Sequence, residues 1–322
     1  MTPETIPVNL VCFKADYMES SGSHNTGAAN LIDKLYSAIG ISTPAQDFYG
    51  VKNTVTCIKG HPCVIFYSPT GHEDDYEYIG KYNLNLDKAT PEPFGFKHDE
   101  EFKDVVNLEG LTEAEIAKVK FGYLLDEEGN LQLSDGKKQN AIFCFEFLDN
   151  AVKVCNFLAE DGKADDLEDP IKTAYWHTWY DTYKDDEGND LPGWTKGFES
   201  RFPEDRDGEN DANALWEVAS WIYQLNKLKE TNRDLALERF KREYEAYFNK
   251  DFLLTYYLIT ETLLMADSRT KNMMIATWGK KQFEYTSAEN GEKVSTYNYE
   301  WYPIFYDMDT MLGLNNEGKQ RF

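Results

Sequence analysis

Hydrophobic and polar positions follow two different periods along the chain. IPVNLVCFKA (6–15) alternates and is β-branched, which predicts a strand. The turn-rich ESSGSHNTG (19–27) comes next, and Asn25 or Thr26 can cap a helix over GAANLIDKLYSAIG that Gly40 ends. NTVTCIKG and HPCVIFYSP (53–69) predict two strands joined at Gly60-His61-Pro62. EYIGKYNLNLDK (77–88) predicts a further strand with Gly80 near its centre. The chain up to about residue 90 therefore predicts a mostly antiparallel sheet with one helix packed on it.

Between about 91 and 211 the period is lost. Acidic, glycine-containing runs (LDEEGN, AEDGKADDLEDP, KDDEGNDLPG, PEDRDGENDAN) read as solvated loops. AIFCFEFLDN (141–150) and TAYWHTWY (173–180) interrupt them as strand candidates. From 211 the period becomes helical. Leu215, Val218, Trp221, Ile222 and Leu225 form one apolar face, Asn232-Arg233-Asp234 starts a second helix, and Asn249-Lys250-Asp251 starts a third. That third helix, FLLTYYLITETLLMA, is apolar nearly all round, which predicts a central position. NMMIATW (272–278) and WYPIFYDMD (301–309) predict two strands, with Glu289-Asn290-Gly291-Glu292 as a hairpin turn between them. The expectation is an α+β fold of two lobes: 1–210, sheet-rich with acidic insertions, and 211–322, helical.

Composition narrows the function. With 33 Lys and Arg against 57 Asp and Glu, the net charge is −24, a surface that repels phosphate backbones and argues against nucleic-acid partners. The same balance suits a binder of divalent cations. Five cysteines form no CxxC pair and read as scattered reduced thiols. The first residues do not read as a classical signal peptide, and no run of 18 apolar residues predicts a membrane span. No acidic run has EF-hand spacing, SSGSHNTG is not a phosphate-binding P-loop, and G-x-S-x-G and H-E-x-x-H are missing. His61, Cys63, His72 and Cys57 lack zinc spacing, and His177 between Trp176 and Trp179 reads as part of an aromatic cluster.

The chemistry concentrates in LLMADSRTKNMMIATW (263–278), where six polar residues separate two apolar segments. Asp267 and Asn272 stand five positions apart, and Asp307 and Asp309 end a later strand. Phosphoryl transfer needs one Asp to orient the attacking hydroxyl, and an Asn and an Asp to hold metal that neutralises developing charge. The protein-kinase catalytic loop, H-R-D-x-x-x-x-N, has this spacing. The same residues also fit a plainer role, with Asp267 capping a turn and the others bounding strands.

YLITETLLMADSRTKNMMIATW (257–278) and WYPIFYDMDTMLGL (301–314) resemble the CotH spore-coat kinase family of atypical protein kinases. YIGKYNLNLDK resembles that family's G-x-Y-x-L-x-E strand through Gly80, Tyr82 and Leu84, and ADYMESSGSHNTGAANL (15–31) its D-x-S-x-x-R-N segment. The resemblance implies a two-lobe kinase-like fold using Mg²⁺ and ATP on Ser or Thr of a protein substrate. It casts Asp267 as the catalytic-loop Asp, Asn272 and Asp307 as metal ligands with Asp309 as a further one, and Arg269 and Lys271 as residues near the phosphates or product, although both also read as ordinary solvent-facing loop bases. The chain departs from the pattern in three places. Leu86-Asp87 replaces the strand's Glu, His24-Asn25 replaces Arg-Asn, and the family's phosphate-contacting segment and nucleotide-facing Lys precede the matched part. The expectation is thus an N-terminally incomplete kinase-like unit, either a cytoplasmic enzyme or a non-catalytic module among neighbouring subunits of a large assembly such as a bacteriophage virion, which similar YPIFYDMDT-LG-NNEG endings suggest.

Overall fold

The computed structural model describes residues 8, 10–16, 21–22, 24–47, 54–88, 90–96, 112, 119–120, 123–125, 131–132, 142–147, 198–202, 209–269, 271–314 and 319. Its fold is mixed α+β with antiparallel sheets. TAYWHTWY with His177, and most of the acidic runs, lie outside the described residues. The chain forms two compact units that do not follow a single cut near residue 210. One comprises Met1–Gly95, Thr255–Met273 and Ile304–Phe322; the other comprises Phe96–Leu254 and Met274–Pro303.

The first unit carries a three-stranded antiparallel sheet of β1 (Val11–Lys14), β2 (Gly60–Tyr67) and β3 (Glu77–Leu86), in the order β1-β3-β2. Between β1 and β2 runs α1 (His24–Ile39), which buries Ala28, Ala29, Ile32 and Tyr36. It ends at Gly40, whose φ of +73° lets Ile41 N donate back to Tyr36 O at 3.0 Å. A one-turn helix, α2 (Pro44–Asp47), follows.

Two expectations fail in this unit. Asn25 and Thr26 do not cap α1: both are buried inside its first turn, where Asn25 has more distant partners. NTVTCIKG is not a strand either. Its Cys57 makes an isolated parallel bridge to Phe305, and Gly60-His61-Pro62 lies inside β2 opposite Asn85, Leu84 and Asn83. Gly60 is required there, because a Cβ would lie 1.8 Å from the Asn85 side-chain oxygen. Pro62 is tolerated because β2 is an edge strand.

The second unit contains α3 (Glu209–Thr231), α4 (Arg233–Glu243) and a sheet ordered β10-β9-β7-β8, with β7 at Phe143–Phe147, β8 at Phe198–Phe202, β9 at Met273–Thr286 and β10 at Lys293–Phe305. A small sheet of β4 (Val119–Lys120), β5 (Tyr123–Leu125) and β6 (Leu131–Gln132) also belongs to it. Leu215, Val218 and Trp221 are buried as their periodicity predicts. Trp221 stacks on Tyr247 at 4.5 Å and donates to the Glu243 carboxylate, which Arg239 also holds. Asn232 caps α4 by accepting from Leu235 N at 3.1 Å. The turn between β9 and β10 closes through Ser287 N to Glu292 O, with Gly291 at φ +73°.

The helix α5 (Lys250–Thr262) starts at Asn249, which accepts from Phe252 N at 3.2 Å. It is not central all round. Phe252, Tyr256, Ile259 and Thr260 are buried, while Leu254, Tyr257 and Leu258 are 46, 54 and 61% exposed. Uniform apolarity hides which face packs, so the pattern overstated its burial.

Candidate active site

The site is built entirely within the first unit, where four segments far apart in sequence converge. α5 gives way after Leu263 to a 3₁₀ turn, Ala266–Arg269, and Asn272 leads into β9. The Tyr256 hydroxyl donates to the carbonyl of buried Ser268, and Ser268 N donates to Met265 O, which ties the turn to the helix it leaves. Asp267 in this turn is half-buried. Lys271 Nζ lies 3.8 Å from its carboxylate, and Lys271 N donates to its carbonyl.

The second segment follows β10. Asp307 takes a φ of +47°, Met308 is fully buried, and Asp309 is half-buried. Leu312 N donates to Leu263 O at 2.7 Å, so this loop is stitched to the end of α5. Every non-glycine residue with positive φ among the described residues belongs to these two segments: Leu264, Asn272, Asp307 and Leu312. Asn and Asp tolerate that region; Leu does so at a cost of about 1 kcal/mol or more. Strain collected at one place marks it as a constrained site.

The third and fourth segments hold this loop. Lys14, at the end of β1, forms an ion pair with Asp307, and its ammonium lies 5.9 Å from the Tyr306 ring, over which Lys88 also sits at 4.8 Å. Asn25 Oδ1 accepts from Met308 N at 2.5 Å while its Nδ2 donates to Asp16 Oδ1 at 3.2 Å. Asn83 Nδ2, on β3, donates to Asp16 Oδ2 at 2.6 Å and to Gly22 O at 2.8 Å. His24 Nδ1 donates to Asp309 O at 3.3 Å.

The electrostatics are those of crowded carboxylates. Burial, and then the negative charges of Asp307, Asp16 and Asp267, push the Asp309 carboxyl up to about 6, with Lys14 pulling it back. The ordinary value is 3.8. Asp309 therefore sits in a negative potential that one ammonium leaves partly uncompensated. Even so, among the described residues no three His, Cys, Asp or Glu side chains form a group ready to hold a metal ion. Lys14 engages Asp307, and two amides engage Asp16.

The residues expected to act divide as follows. Asp267, Asp307 and Asp309 share one electrostatic environment, and Lys271 lies beside Asp267. Asn272 is half-buried at the entry to β9 with φ +50°. Arg269 pairs instead with Glu261 on α5 at an exposed position. Lys14, Asp16, Asn25 and Asn83 do not stand out in the sequence as site residues. Lys14 could have been noticed as the lone base closing an apolar strand. Asp16, Asn25 and Asn83 lie inside the segments that carry the family resemblance, Asn25 as a cap candidate and as part of the His24-Asn25 departure, Asn83 as a strand residue. No family model matches the chain, and no curated protein matches it.

Proposed function

We propose that this chain is a CotH-like atypical protein kinase domain that transfers phosphate from ATP to Ser or Thr of a protein, with Mg²⁺. The observation that carries the reading is the convergence in one unit of Asp16, Asn83, Asp267, Asp307 and Asp309, drawn from all four segments that resemble the family, with Lys14 paired to Asp307 beside them. The donors suit magnesium, which takes hard oxygen ligands and usually one or two carboxylates together with substrate phosphates, so a complete protein cage is not needed. Asp307 and Asp309 with Asn272 would hold it; bound there, the ion would neutralise charge on the phosphates. The raised Asp309 carboxyl fits this role, since a cation would relieve the repulsion that raises it.

The remaining work falls to the chain's own side chains. Asp267 orients the acceptor hydroxyl and takes up its proton as the oxygen bonds to the γ-phosphorus and the bond from that phosphorus to the β-phosphate oxygen breaks, releasing ADP. Lys14, one residue ahead of the first matched segment, supplies a strand-borne ammonium beside the metal-holding Asp, where kinases set a lysine against the ATP phosphates. Lys271 stands close enough to Asp267 to help hold transferred phosphate. Arg269 keeps a weaker claim to phosphate contact, because Glu261 already pairs with it.

A second reading keeps the fold without catalysis, as a structural module of a virion or other large assembly. What favours it is that the Asp307 carboxylate is already paired with Lys14. Labelled ATP with Mg²⁺ separates the two. The kinase reading expects phosphate on Ser or Thr of the chain or of an added protein, lost in Asp267→Ala and reduced at least tenfold in Lys14→Ala. No transfer by the wild type, with ATP binding also absent, would leave the structural reading.

A further inference from the structure

We propose that Asn25 is the positioning residue that sets the spacing of Asp307 and Asp309, by gripping the backbone N–H of Met308, the residue between them; the inference rests on the kinase-type reading of that pair. Asn25 is 5% exposed, and its carbonyl oxygen accepts from Met308 N at 2.5 Å. Its other end is fixed too. Its Nδ2 donates to Asp16 Oδ1, so the side-chain amide cannot turn over without facing two acceptors together. Asp16 is itself held by Asn83 Nδ2, and Asn83 is also anchored on Gly22 O. The result is a relay from the sheet strand β3, through Asp16, to the first turn of α1 and on to the loop after β10.

Three features make this relay more than ordinary packing. Met308 is fully buried between two half-buried carboxylates, so the hold on its N–H fixes the peptide plane that joins it to Asp307. Asp307 has φ +47°, a conformation that Asp tolerates and that the hold on the next N–H keeps in place. Asp16 is held from two sides, by Asn25 on α1 and by Asn83 on β3, so one side chain joins the helix and the sheet to the loop. A contact between residues 283 positions apart thus does for the two carboxylates what outer hydrogen bonds do for metal ligands generally.

The test exchanges the two side chains. Asn25→Asp alone keeps an acceptor for Met308 N but faces Asp16 with like charge. Combined with Asp16→Asn it restores every hydrogen bond of the relay, because the new amide donates to position 25 and accepts from Asn83. Met308 amide exchange reads the grip directly, and Mn²⁺ affinity by electron paramagnetic resonance reads its consequence. The expected result is at least tenfold faster Met308 exchange and about tenfold weaker Mn²⁺ binding in Asn25→Ala and Asn25→Asp, with both within about threefold of wild type in the exchanged pair. If Asn25→Ala does not fold, the Asn25→Asp comparison decides alone. Unchanged Met308 exchange in the single variants, or an exchanged pair no better than Asn25→Asp, would overturn the proposal. A wild type that binds no Mn²⁺ while the exchange results hold would overturn the kinase reading and leave the grip of Asn25 standing.

Discussion

Asp309 is the residue at which the balance of stability and function is most exposed. Its carboxyl is raised to about 6, so the folded protein keeps a proton there that the unfolded chain has already lost. The folded state then binds more protons than the unfolded state between about pH 4 and 6, and stability falls as pH rises through that window. Above it the full cost is present, on the order of 1–3 kcal/mol at most. Asp309→Asn removes a titrating charge without changing shape. Its melting temperature should match wild type near pH 4 and exceed it above pH 6 in metal-free buffer. A difference between the two proteins that does not vary with pH would contradict the assignment of Asp309 as the repelled carboxylate. Glu217, half-buried on α3, is a control of the same kind in the other unit. Burial outweighs the pull of Lys280 and lifts its carboxyl, so Glu217→Gln should gain on wild type as pH rises above the ordinary carboxylate range.

At the scale of elements, much was readable because the signals are local. Gly40 ends α1, Asn232 and Asn249 start α4 and α5, and Asn290-Gly291 turns β9 into β10, each through chemistry confined to a few residues. What was not readable depends on distant partners. Asn25 looked like a cap because Asn is a good one, and only the fold shows that Asp16 and Met308 claim its side chain. Gly60-His61-Pro62 looked like a turn, whereas Gly60 is there to make room for Asn85. Gly60→Ala should therefore destabilise the protein by roughly 1–3 kcal/mol, read by chemical denaturation. α5 gives the opposite case. Leu258 is 61% exposed despite its apolar context, so Leu258→Gln should change stability by no more than about 0.5 kcal/mol. A loss of several kcal/mol would restore the central position that uniform apolarity suggested.

At the scale of the whole molecule, the net charge of −24 attracts divalent cations without any dedicated site, so cation binding alone is a weak discriminator. Among the described residues no helix is long and apolar enough to cross a membrane. The kinase-like reading needs the carboxylates after β10 to act with nucleotide, not merely to be acidic. The most direct measurement is a calorimetric titration of ATP with Mg²⁺ in about 0.15 M salt, where nonspecific surface attraction is largely screened. The same titration is run on Asp307→Ala. Saturable heat for the wild type, abolished or weakened at least tenfold in Asp307→Ala, is the predicted result. No heat from the wild type, or equal binding by Asp307→Ala, would contradict it.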